Sequence, residues 1–220
     1  MSSQRFPGKV LAPFRGKPLV WHVLATAAQV CSPSNVVLVT SDEPSDDPLA
    51  LFAKSMGYPL FRGPLDNVFE RFRLCARQYP CDWILRINAD SPLLSPRILR
   101  VVLEQAEGSD CGLVTTIFPR TWPKGQNAEF IRTRTLLSVN PEALTAEDVE
   151  HVTPYFYRNA SRFRIINVAS RDPKLADLHM AVDTVEDLRH LEGLAEDSVD
   201  ELLANAMVQQ GTGSARSCSV

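Results

Sequence analysis

NVVLVTSD at residues 35–42, DPLALFAKSMG at 47–57 and PLFR at 59–62 decide the fold. The first is a β-branched run closed by polar residues, which reads as a strand buried on both faces. The second has the spacing of a short helix over Pro48 to Met56, with Asp46 or Asp47 as its N-cap and Gly57 at its end. The third is short and extended. Strand, helix and strand within about thirty residues is the rhythm of a parallel βαβ unit, so the fold class is α/β.

The rhythm continues outward. Leu19 to Val30 is apolar on nearly all sides, as a helix between layers would be. Asn67 to Gln78 reads as an amphipathic helix, Trp83 to Ile87 as a strand, Pro96 to Glu107 as a helix opened by proline, and Cys111 to Ile117 as a strand. After Ile117 a Pro/Gly/Arg-rich loop over 119–125 breaks the alternation. It leads to an expected strand at 128–132 and helical turns through Tyr157. Strands over 164–168 and 179–182 and a helix over 185–194 follow. An irregular insertion of this kind, about 118–168, is a usual place for substrate specificity. The small polar stretch 209–220 is expected to be a disordered tail, leaving a single domain over 1–208.

Charge is nearly balanced overall, 23 Lys and Arg against 26 Asp and Glu, but unevenly placed. The first 41 residues hold Arg5, Lys9, Arg15 and Lys17 and no acid, where about five would be expected. Pro7, Gly8, Pro13, Gly16 and Pro18 keep these cations on non-helical backbone. Such a loop presents side-chain cations and free N–H groups to an anion, the requirement for holding a polyphosphate. The alternative is an ordinary basic surface loop. A nucleic-acid surface is disfavoured, because four cations without interleaved aromatics are a weak footprint.

In open α/β sheets ligands lie beyond the carboxyl ends of the strands. Those ends here are Ser41-Asp42, Arg62-Gly63, Asn88-Ala89-Asp90 and Asp183-Thr184, and three of the four carry aspartate. Two aspartates projected from different strand ends can hold a divalent cation such as Mg²⁺ through oxygen ligands. The competing reading is that Asp183 caps the helix after it and Asp90 merely ends a strand.

Four segments taken in order resemble the cytidylyltransferases of nucleotide-sugar synthesis, the group with CMP-acylneuraminate and CMP-KDO synthetases, and above all their spore-coat-polysaccharide branch, SpsF. They are SSQRFPGKVL with GKPLVWHVL (2–24), VVLVTSDEPSDDPLA with FRGPLDNVFERF (36–72), LRINADSPLLSP (85–96), and EHVTPYFYR with AVDTVEDL (150–188). The resemblance implies a Rossmann-like nucleotidyltransferase fold, mostly parallel with helices on both faces, that joins CTP to a sugar or sugar acid. It implies that Arg5 and Lys9 contact the triphosphate with Lys17 in support, and that Asp90 and Asp183 hold Mg²⁺. Asp66 and Arg71 would lie beside the nucleotide, and Glu129 and His151 in the acceptor pocket. A homodimer through 120–157 is implied as well. Relatives open with an aliphatic strand and a Gln-Ala-Arg-like turn ahead of the motif that begins here at Met1, so such a strand is expected upstream. Gln126-Asn127 stands where relatives often have an acid, which points to a different acceptor.

Two rival classes stay open: a metal-dependent glycosyltransferase that consumes a nucleotide sugar, and a non-catalytic homologue. His151 reads equally as a general base or as a packing residue. Cys31, Cys75, Cys81, Cys111 and Cys218 are irregularly spaced and read as reduced thiols. No apolar run approaches the roughly 20 residues of a membrane span, and no secretory pattern opens the chain, so the expected compartment is the cytosol.

Overall fold

The computed structural model describes Ser3 and residues 5–207; the expected tail at 209–220 and Cys218 lie outside the described residues. A 3-10 turn at Lys9–Leu11 leads into a small hairpin, β1 (Pro13–Phe14) and β2 (Lys17–Pro18), turned by Arg15 and Gly16 at positive φ. Then come α1 (Leu19–Ala27), β3 (Leu38–Ser41), α2 (Asp47–Ser55), β4 (Leu60–Gly63), α3 (Val68–Gln78), β5 (Trp83–Arg86), α4 (Pro96–Ala106) and β6 (Leu113–Thr115). The second half holds β7 (Glu129–Arg132), α5 (Thr133–Leu137), α6 (Ala146–His151), α7 (Pro154–Arg158), β8 (Ile165–Asn167), α8 (Val185–Glu192) and α9 (Glu196–Asn205).

The main strands form two sheets, β3-β4 and β5-β7-β6-β8. β3 with β4 and β6 with β8 are parallel, as the βαβ rhythm predicts. β7 instead runs antiparallel to both its neighbours, so the four-stranded sheet is mixed rather than mostly parallel. The insertion after Ile117 lets the chain return between β5 and β6 from the opposite end. Periodicity reports which face a residue takes but not strand direction.

Successive residues of a strand face opposite sides, and the core is divided accordingly. Val114 and Phe130 join a cluster with Phe14, Leu19, Ile98, Leu99 and Trp122. Their neighbours Leu113 and Ile131 join Phe69, Leu136 and Phe156 on the other face. Helices therefore cover both faces, as expected. A third cluster, with Val20, Leu24, Leu38, Leu49 and Ala53, fills the space between α1, β3 and α2.

One local expectation fails and a second holds only in position. Residues 179–182 do not form a strand; a single bridge joins Lys124 to His179. Asp46 holds the N-cap position of α2, as one of the two expected residues, but its side chain makes no capping hydrogen bond. Its buried carboxylate accepts hydrogen bonds from Thr40 Oγ1 (2.5 Å), Ser41 N (2.9 Å) and Ser41 Oγ (2.6 Å), pinning the end of β3. A carboxylate offered three donors on the adjacent strand does better there than at a helix end it would cap alone.

Candidate active site

The acid-free first loop folds back onto the strand ends. Gly8, at φ 73°, takes the left-handed conformation that starts the 3-10 turn and aims Lys9 inward. The Lys9 ammonium donates to Asp90 Oδ2 (2.7 Å), to the Val182 carbonyl (2.8 Å) and to Asp183 Oδ1 (3.3 Å). One cation thus bridges the two aspartates that the strand-end argument selected. The Val182 N–H donates to the Asp90 carbonyl (2.8 Å) and ties the two segments together.

Asp183 does not cap α8. Thr184 does, in a capping box with Asp187, whose Oδ2 also accepts the Asp183 N–H (3.0 Å). The Asp183 carboxylate is released for other partners. Arg5 approaches Oδ1 at 3.1 Å, Lys124 donates to Oδ2 at 2.6 Å, and His179 Nε2 lies 3.6 Å from Oδ2. Burial pushes this carboxyl up, but the Lys124 hydrogen bond and charge, with Lys9 behind them, outweigh it and hold the pKa at about 2.

The atoms that accept from Lys9 Nζ are two carboxylate oxygens and a carbonyl, a hard-oxygen set that could hold Mg²⁺ or Mn²⁺. His179, Asp183 and Asp187 also offer atoms within 4.8 Å of one another. The Asp187 oxygen is, however, engaged by the amides that start α8. Asp90 and Asp183, bridged by Lys9, are a second candidate pair.

Beside it opens a cavity of about 480 Å³, lined by Arg86, Asn88, Asn127, Glu129, His151 and Tyr157 among others. Asn88 lies two residues before Asp90, so β5 and its extension connect cavity and aspartates. Glu129, 1% exposed, pairs with Arg86 and accepts from Tyr157 Oη (2.7 Å). Tyr157 also shares a hydrogen bond with Thr115 (2.9 Å), and burial, aided by the Glu129 charge, pushes its pKa up. Arg120 donates to Asn127 Oδ1 (2.7 Å).

The structure therefore brings Arg5, Lys9, Asp90 and Asp183 together, and Glu129 with His151 beside them. It does not gather the other three expected residues. Lys17 sits over the Trp21 ring, its ammonium 5.8 Å from the centroid. Asp66 is exposed. Arg71 is buried on α3, donating to the Leu65 carbonyl (3.1 Å) beside Gly63. Gln126 is fully buried and serves the fold: it accepts from Ser95 N and donates to the Leu93 carbonyl, so it does not reach an acceptor. Sequence reasoning missed Lys124, His179, Arg86 and Tyr157; the one available signal for Lys124 was its place in the Pro-Lys-Gly turn of the insertion.

A family model described as Cytidylyltransferase matches residues 1–210. The chain belongs to the cytidylyltransferase family. It is 27% identical over 202 residues to the spore coat polysaccharide biosynthesis protein SpsF of Bacillus subtilis (strain 168), covering 88% of this chain and 82% of that one. It is 32% identical over 123 residues to the 3-deoxy-manno-octulosonate cytidylyltransferase of Aeromonas salmonicida (strain A449), covering 54% of this chain and 47% of that one. A solved cytidylyltransferase from Leptospira borgpetersenii serovar Hardjo-bovis (strain JB197) superposes with a TM-score of 0.83 at 24% identity, over 96% of this chain and 94% of that one, and shares its fold. Among the described residues of this cytidylyltransferase-family chain, no helix is long and apolar enough to cross a membrane.

Proposed function

We propose that the protein transfers a cytidylyl group from CTP to a hydroxyl of a sugar or sugar acid, releasing pyrophosphate. The observation that carries this is the Lys9 bridge between Asp90 and Asp183, at the edge of a cavity large enough for a sugar. Arg5 and Lys9 hold the triphosphate tail and stabilise the charge that builds on leaving pyrophosphate. Asp90 and Asp183 would hold a divalent cation, Mg²⁺ in the first instance, in place of the Lys9 ammonium, which is then free for the triphosphate; the cation would supply neutralisation of phosphate charge. The acceptor lies in the cavity against Glu129, Asn127 and His151. Its hydroxyl oxygen bonds to the α-phosphorus as the bond to the β-phosphate oxygen breaks. The electron pair leaves with pyrophosphate, and the hydroxyl proton passes to His151 and on to solvent.

Positioning is the main work of the chain in such a reaction. The test is pyrophosphate release from CTP and Mg²⁺ across a panel of sugars and 2-keto sugar acids, with CTP binding followed by calorimetry. Release that requires both CTP and acceptor supports the reading. Failure to bind CTP overturns it, and release of a nucleoside diphosphate from a nucleotide sugar would assign a glycosyltransferase instead.

A further inference from the structure

Asp183 is contacted from two sides. Arg5 and Lys9, both from the first loop, meet Oδ1, whereas Lys124 and His179 meet Oδ2. Three permanent cations, Arg5, Lys9 and Lys124, face the two aspartates of the bridge, with Asp187 bound to the Asp183 amide behind them.

The Lys124 backbone is fixed. Its N–H donates to the Leu178 carbonyl (2.9 Å) and its carbonyl accepts from Met180 N (2.6 Å). Gly125 follows at φ 103°, packed so closely on Met180 that no side chain would fit. Three residues beyond Lys124, Asn127 lines the cavity. The ammonium, on a half-exposed side chain, thus meets Asp183 from a turn whose chain runs on to the cavity wall. On the cytidylyl-transfer reading, the phosphorus attacked by a hydroxyl from the cavity lies between that wall and the aspartates, and Lys124 reaches Asp183 from the oxygen opposite the first loop.

We propose that Lys124 is a further catalytic residue, a cation that meets the α-phosphate of the nucleotide from the acceptor side while Arg5 and Lys9 hold the tail. This rests on the cytidylyl-transfer reading. As the acceptor oxygen bonds to the α-phosphorus and the pyrophosphate oxygen departs with the electron pair, Lys124 donates to a non-bridging oxygen and remains protonated throughout.

The two arms of the site make different predictions for ligands that differ only in phosphate. Calorimetric titration of the full chain with cytidine, CMP and CTP, each with Mg²⁺, reads them separately. Lys124→Met weakens CMP and CTP by the same factor, about ten-fold or more for a lost charge-assisted hydrogen bond, and leaves cytidine unchanged. Arg5→Met weakens CTP and leaves CMP unchanged. Lys124→Arg retains CMP affinity within about three-fold. A structural role limited to neutralising Asp183 would lower the melting temperature without separating CMP from cytidine. If Lys124→Met folds poorly, Lys124→Gln, which keeps a donor toward Asp183, gives the same reading. CMP affinity within two-fold of wild type in the neutral variant overturns the assignment of Lys124 alone. A wild-type protein that binds none of the three ligands overturns the cytidylyl reading and this proposal together.

Discussion

Asp183 is where the charges of this molecule converge, and its carboxyl is held down at about 2 against an ordinary 3.8. A carboxyl with a depressed folded pKa contributes stability that is fully present above its unfolded value and is lost as pH falls through the folded one. The shift corresponds to about 2 kcal/mol at neutral pH. Asp183→Asn should therefore abolish turnover and lower stability by about 1–2 kcal/mol at pH 7 in urea denaturation. The gap from wild type should close as pH falls from about 4 to about 2; a gap independent of pH would mean that the charge of Asp183 is not what stabilises. Glu129 poses the complementary case. It is buried against Arg86, whose Nε has no partner among the described residues. Glu129→Gln strips the guanidinium of its counter-charge and should cost about 3 kcal/mol, while Arg86→Met with Glu129→Met should cost less than the sum of the two single changes.

At the scale of elements, the site depends on two short junctions. Thr184 starts α8, accepting from Asp187 N (3.2 Å) while Asp187 accepts from Thr184 N (2.8 Å), and this frees Asp183 from capping. Thr184→Ala should lower stability by about 1 kcal/mol and Thr184→Ser should restore it, as thermal melting would read. Gly125 is less forgiving: a Cβ there would fall 2.4 Å from the Met180 carbonyl oxygen, and the obstacle is backbone, which cannot rotate away. Gly125→Ala should cost about 2 kcal/mol or more and weaken nucleotide binding through Lys124. These junctions also mark where the sequence was legible. α3, β5 and α4 fall within a residue of their expected bounds, because each has a clear period and a proline, asparagine or turn at its ends. Lys9, Asp90 and Asp183 were legible because an acid-free loop and strand-end aspartates are patterns in composition and order. Lys124 was not: a lysine in a Pro/Gly-rich loop looks like any surface cation until the chain's return places it on Asp183. The failed strand at 179–182 has a related cause, since its apolar residues Met180 and Val182 are buried in the core cluster without a ladder partner.

The whole molecule is joined across an open seam. β3 pairs only with β4, and β5 pairs only with β7, among the described residues. Register fixes which amides of β5 meet that seam. Thr133 N donates to the Asp82 carbonyl, and Arg132 N turns the other way to Gly112. By antiparallel alternation Ile84 and Arg86 then exchange hydrogen bonds with β7, while the N–H groups of Trp83 and Leu85 point to the open edge. Their amides should exchange with deuterium about 100-fold faster or more than those of Ile84 and Arg86, since only global or sub-global opening releases the latter. Equal protection would mean that another strand covers the edge in solution. The seam has a functional side, because β5 and its extension carry Arg86, Asn88 and Asp90. What crosses it is Lys9, donating to Asp90 from a loop whose Val10 and Leu11 pack with Leu38 of β3, together with Ile87 and Ala89 against the same cluster. A nucleotide held by Arg5 and Lys9, with a cation on Asp90 and Asp183, would add a second tie, so CTP with Mg²⁺ should slow exchange at Ile84 and Arg86 while leaving the edge-facing Trp83 and Leu85 fast. Slowing of all four to the same degree would show that the ligand closes the edge as well as bridging it.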